Sequence, residues 1–195
     1  MVSSCFLGVG EGRSFFNGIG RPRVKVEPGS APGFAMFESE LPPESAGPPR
    51  HIHADYDEAF YVLDGEMRFW VGGDQQDCGP GSVVFVPRNV VHRFANESDR
   101  PSRVLVVLTP EGLRLVEGLG SAGSDAAATQ RLWSEHRSRV VNTPEPPRRE
   151  MGPLPAAARL GCGRDLPDRN RVEEFEDAGD LCPDRLTLPG RHPDT

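Results

Sequence analysis

The 195-residue sequence predicts an all-β barrel or sandwich followed by one or two short helices, and three observations carry that expectation. Short β-prone runs at 24–26, 34–37, 59–63, 67–71, 82–86 and 103–108 are separated by turn residues, the spacing of strands in sandwiches and barrels. The 22 Gly and 20 Pro are well above the usual combined share of about 12%, which leaves little room for long helices. No fixed-period repeat is present, so the chain is not a solenoid.

Taken in order, residues 1–12 form an N-terminal arm, 13–118 the barrel, 119–142 a C-terminal helix and 143–195 a tail. Asp64-Gly65 stands between two β-prone runs, and a DG pair accepts the positive φ angles of a type I′ hairpin turn. Pro110 suits a first helical position, with Leu113, Leu115 and Val116 as a short apolar face. A second helix over 124–140 takes Ser124 or Asp125 as its cap and buries Leu132 and Trp133. The tail is rich in Pro and charge and has too little apolar material to build a core, so disorder is expected there. Its run Glu173-Glu174-Phe175-Glu176-Asp177 reads as a solvated stretch.

Composition narrows the function classes. The formal charge of −7 argues against a nucleic-acid partner, which calls for a basic patch, and no helix-turn-helix segment precedes the barrel. No apolar run approaches the roughly 18 residues of a membrane helix, and the N-terminus lacks a secretory pattern, so a cytoplasmic protein is expected. Cys5, Cys78, Cys162 and Cys182 are scattered without CxxC spacing and read as free thiols.

The chemistry concentrates on three histidines and one glutamate. His51 and His53 stand two apart, so on a strand both imidazoles share one face. Glu58 begins the next β-prone run, and His92 enters from a separate segment after Pro87-Arg88-Asn89. Three neutral imidazoles and a carboxylate converging from neighbouring strands suit a divalent first-row transition metal. The competing reading of the HxH pair alone is an exposed strand face that happens to carry alternating histidines. Phe60 shares strand parity with Glu58, and Phe94 with His92, so both line an apolar substrate pocket or belong to plain barrel core. Tyr61 has the opposite parity and should face away, and Asn96 caps a turn.

The segment Gly47-Pro48-Pro49-Arg50-His51-Ile52-His53-Ala54-Asp55-Tyr56-Asp57-Glu58, continued to Gly65, closely resembles the first motif of the cupins. Gly81 with Pro87, then Arg88-Asn89-Val90-Val91-His92-Arg93-Phe94-Ala95-Asn96, resembles the second. The resemblance covers about residues 12–118, and its flanks are similar to those of quercetin dioxygenase-like monocupins. Two departures stand out: the leading glycine of the first motif falls at Ser45, and a motif glycine is replaced by Asn89, which tolerates a left-handed turn.

The resemblance implies a cupin-type β-barrel (a double-stranded β-helix, or jelly roll) with His51, His53, Glu58 and His92 as ligands of one Fe, Mn, Ni, Cu, Co or Zn ion. It implies a quercetin 2,3-dioxygenase-like oxygenase for a small aromatic or polyketide-like molecule, with Glu58 able to act as general base. A non-oxidative isomerase or cyclase would use the same ligands, and a non-catalytic cupin holding a metal or small molecule is the alternative from another class. A homodimer is also implied by the resemblance.

Overall fold

The computed structural model describes residues 6–142. The strands are β1 (Arg13–Ser14), β2 (Arg23–Val26), β3 (Ala35–Leu41), β4 (His51–His53), β5 (Glu58–Asp64), β6 (Met67–Val71), β7 (Asp74–Cys78), β8 (Val83–Val86), β9 (His92–Ala95), β10 (Ser102–Leu108) and β11 (Ser138–Val140). Two helices, α1 (Pro110–Ala122) and α2 (Ala126–Glu135), lie between β10 and β11. The arrangement is the all-β jelly roll expected. One sheet runs β1-β2-β3-β10-β5-β8, the other β11-β4-β9-β6-β7, and every pairing within them is antiparallel.

Alternation builds the core. On β3 the side chains of Phe37 and Leu41 turn inward, on β10 those of Val104, Val106 and Leu108, and on β5 those of Phe60 and Val62. They meet Met67 and Phe69 of β6, with the Phe60 and Phe69 rings 5.3 Å apart. On the opposite face of β5 and β8, Tyr61, Val83 and Phe85 are exposed. Tyr61 thus points outward, as strand parity required.

The Asp64-Gly65 hairpin is not formed. β5 is paired on both edges by β10 and β8, while β6 is paired by β7 and β9, so the chain at Gly65 passes from one sheet to the other. Only Gly65 of the two has a positive φ, at 71°, whereas a type I′ turn needs it at both central residues. The tight hairpin lies instead at Gly72-Gly73, between Val71 and its partner Asp74. Its second strand, Asp-Gln-Gln-Asp-Cys, is mostly solvent-facing and too polar to read as a strand.

Thr109 caps α1 by accepting from Gly112 N at 3.2 Å, and Leu113 and Leu115 are buried. Asp125 caps α2 by accepting from Ala128 N at 2.9 Å. The expected helix over 124–140 is cut short. Arg137 takes a left-handed φ of 48°, the chain reverses, and Ser138–Val140 pairs with His51–His53 as β11. Backbone pairing with the exposed edge of β4 outweighs helix continuation there. The expectations for the tail, for the acidic run 173–177 and for Cys5, Cys162 and Cys182 lie outside the described residues. Cys78 is buried as a free thiol. Among the described residues no helix is long and apolar enough to cross a membrane.

Candidate metal centre

Short antiparallel pairing assembles the centre. His51 and His53 occupy alternate positions of β4 and turn to the same buried side. His51 is in register with His92 at the start of β9, which brings their ring centroids within 4.2 Å. Glu58 opens β5 in the other sheet and faces them across the interior. The structure thus brings together all four residues singled out from the sequence, at exposures of 2–6%, with one ligand atom of each within 4.8 Å of the others.

The second turn is clamped to the first. Asn89 adopts a left-handed φ of 63°, and its backbone N–H donates to the His53 carbonyl at 2.7 Å. The Asp57 carboxylate accepts from Arg88 N at 2.8 Å and from the Arg88 guanidinium at 3.0 Å. These bonds fix where β9 begins, and so where His92 projects.

Each imidazole is oriented through Nδ1. His51 Nδ1–H donates to Pro49 O at 2.7 Å, and His92 Nδ1–H to Val90 O at 3.0 Å, since a carbonyl can only accept. His53 Nδ1 lies 2.8 Å from Ser138 Oγ. That leaves the Nε2 atoms for the centre: those of His92 and His53 lie 3.1 Å and 3.6 Å from Glu58 Oε2. With Nδ1 carrying the hydrogen, a neutral ring turns a bare lone pair toward a carboxylate, and two acceptors facing one another need a cation between them. The donor set therefore fits a divalent metal ion held by three imidazoles and one carboxylate.

The electrostatics agree. Burial lowers His51 to about 3, with the neighbouring His92 and His53 pushing the same way, so its ring is neutral and able to ligate. Burial alone would raise the Glu58 carboxyl. The side chains of His53 and His92 facing it outweigh that effect and hold the group below the ordinary carboxylate range. Tyr56, beside the centre, is pushed above the usual phenol range by burial and by the nearby Glu58 charge.

A cavity of 320 Å³ reaches His51, His53 and Glu58 and is lined by Phe37, Phe60, Phe94, Val106 and Trp133 among others. Of the two phenylalanines considered from parity, Phe60 is buried in the core and both line this cavity, with the Phe60 ring 5.1 Å from that of the half-buried Phe94. Asn96 does not touch the cavity and instead ties loops together. Sequence reasoning missed Tyr56, stacked on His53 at 4.3 Å, and Trp133, whose ring is 5.3 Å from His51 and 6.2 Å from His53. It also missed Ser138. No local pattern marks Ser138, whereas Trp133 already stood on the apolar side of a predicted helix.

Comparison with known proteins places these features in context. A family model described as "Cupin domain" matches residues 37–108. Over 101 residues the chain is 29% identical to quercetin 2,3-dioxygenase of Bacillus subtilis, covering 52% of this chain and 30% of that protein. Over 54 residues it is 41% identical to an uncharacterised protein of Streptomyces coelicolor, covering 28% of this chain and 50% of the other. The chain thus spans half or less of the length of these curated relatives. Among solved structures, the polyketide cyclase RemF from Streptomyces resistomycificus matches with 25% identity and a TM-score of 0.48, over 55% of this chain and 80% of that one. KdgF from Halomonas sp. matches with 19% identity and a TM-score of 0.48, over 55% and 94%.

Proposed function

The chain belongs to the cupin superfamily, and on that premise we propose that it is a metal-dependent enzyme of the quercetin 2,3-dioxygenase-like kind, acting on a small aromatic or polyketide-like molecule. The observation that carries the reading is the buried cluster of His51, His53, Glu58 and His92, whose Nε2 lone pairs and carboxylate meet with every Nδ1 already engaged. These four residues would hold one divalent transition metal ion. When bound, the ion supplies Lewis-acid binding of a substrate oxygen and, if redox-active, electron transfer with O₂.

The chain's own residues do the rest. Phe60 and Phe94 line the cavity beside the centre and would pack against an apolar, planar substrate. Glu58, ionised and buried, would take the proton of a substrate hydroxyl as general base once it leaves the ion. The similarity to the dioxygenase named above supports oxidative chemistry, and the reading includes a homodimer, measurable by light scattering.

Metal-reconstituted protein should consume oxygen when given a flavonol, and Glu58→Ala should abolish that uptake. Conversion of substrate without oxygen uptake would replace the oxygenase by an isomerase or cyclase at the same centre. A metal-loaded protein inert toward flavonols and diketones would leave a non-catalytic binding cupin.

A further inference from the structure

We propose that Ser138, on the last described strand, is a positioning residue for the centre, holding His53 with the proton on Nδ1 so that Nε2 faces the ion. The inference rests on the metal reading above and extends it to a residue well outside the segment 37–108 that carries both motifs.

Ser138 Oγ is close to His136 O, His53 Nδ1 and the Tyr56 side chain, and one assignment satisfies the first two together. Ser138 Oγ lies 3.0 Å from the His136 carbonyl, which can only accept, so the serine hydroxyl donates there. Its oxygen is then an acceptor toward His53 Nδ1, 2.8 Å away and 85 residues distant in sequence. In this arrangement His53 Nδ1 carries the hydrogen, and Nε2 keeps its lone pair for the centre.

Position in the fold explains why this residue is needed. For His51 and His92 the Nδ1 acceptor is the carbonyl two residues earlier, Pro49 O and Val90 O. For His53 the residue two earlier is His51 itself, engaged on β4 with Val140 and His92, so the acceptor comes from a side chain on the adjoining strand. Ser138 stands in register with His53 and is 5% exposed. The turn before it is locked: His136 N donates to Leu132 O at 3.1 Å, Arg137 N to Ser134 O at 3.0 Å, and Ala54 N to Arg137 O at 3.0 Å. The end of α2 is thereby tied to β4 on one side while Ser138 orients a ring on the other. Partners of this kind set ligand tautomer, and their loss typically weakens metal binding by about 10–100-fold.

The test uses the full chain. Long-range proton–nitrogen NMR on metal-free protein reads which ring nitrogen of His53 carries hydrogen, and Co²⁺ titration gives the affinity. Wild type should show hydrogen on Nδ1. Ser138→Ala should lose that signature and bind Co²⁺ about 10–100-fold more weakly, and Ser138→Thr, which keeps the hydroxyl, should recover both. A bare Nδ1 in wild type, which needs no variant to fold, overturns the proposal. So does a Ser138→Ala protein with unchanged ring signature and an affinity within about twofold of wild type. If wild type takes up no Co²⁺, the metal reading fails on its own, and the ring signature still decides the role of Ser138.

Discussion

Gly47 lies against the carbonyl of Phe94: a methyl group on its Cα would sit 1.9 Å from that oxygen, and its φ of 66° belongs to the left-handed region. The approach lets the strand carrying His51 run beside the strand carrying His92. A glycine near the start of the first motif is thus a packing requirement of the centre rather than a loose turn.

Gly47→Ala should therefore cost about 3 kcal/mol or more, the sum of left-handed strain and a backbone clash. Gly33, with open space around it and no left-handed φ, supplies the control, and Gly33→Ala should change stability by less than about 0.5 kcal/mol. Urea denaturation of both variants measures the contrast, and equal midpoints would show that the Gly47 approach is not required.

Asn96, fully buried, donates to the carbonyls of Leu41, Pro42 and Arg100 and accepts from Ser98 N. Asn96→Ala should cost about 2–3 kcal/mol, because buried carbonyls lose their donor. Asn96→Asp should not rescue it, since an ionised carboxylate has no hydrogen to give. Rescue by aspartate in a thermal-unfolding series would refute this account of the residue.

Acid should destabilise the metal-free protein through His51. Its folded-state value, lowered by burial to about 3, lies below the unfolded value of 6.5, so the unfolded chain binds the extra proton. Stability from this group is complete above the unfolded value and falls as pH drops from about 6.5 toward 3. Between pH 7 and 5 the loss is about 2 kcal/mol. His51→Gln, which does not titrate, should remove that part of the slope; an unchanged slope in calorimetry across this range would contradict it.

Trp133 walls the cavity and packs beside His51 and His53 but offers no ligand atom. Trp133→Ala should lower stability by about 3–5 kcal/mol through the void it leaves while metal content stays near that of wild type. Loss of metal in a variant that remains folded would show that α2 is needed for retention.

Much of the centre was legible because its information is local. His51 and His53 obey a period of two, and Glu58 and His92 sit in motifs whose turns, at Asn89 above all, follow from side-chain size and φ tolerance. What escaped depends on pairing across the chain. Asp64-Gly65 has the chemistry of a hairpin turn, yet strand partners some forty residues away decide that it crosses between sheets. β7 is polar because residues on both of its faces are largely exposed, so no apolar alternation announces it. β11 has no signal of its own: Ser138 and Val140 become strand only because His53 and His51 are there to pair with them.

The central claim is that His51, His53, Glu58 and His92 hold a metal ion. Elemental analysis by mass spectrometry, on tag-free protein purified without chelator, tests it most directly when run beside His51→Ala and His92→Ala. The account predicts close to one equivalent of a transition metal in wild type, its loss in both variants, and lower thermal stability with it, because an ion bound only by the folded state adds to folding free energy. No stoichiometric metal in wild type, even after reconstitution with each candidate ion, would contradict it.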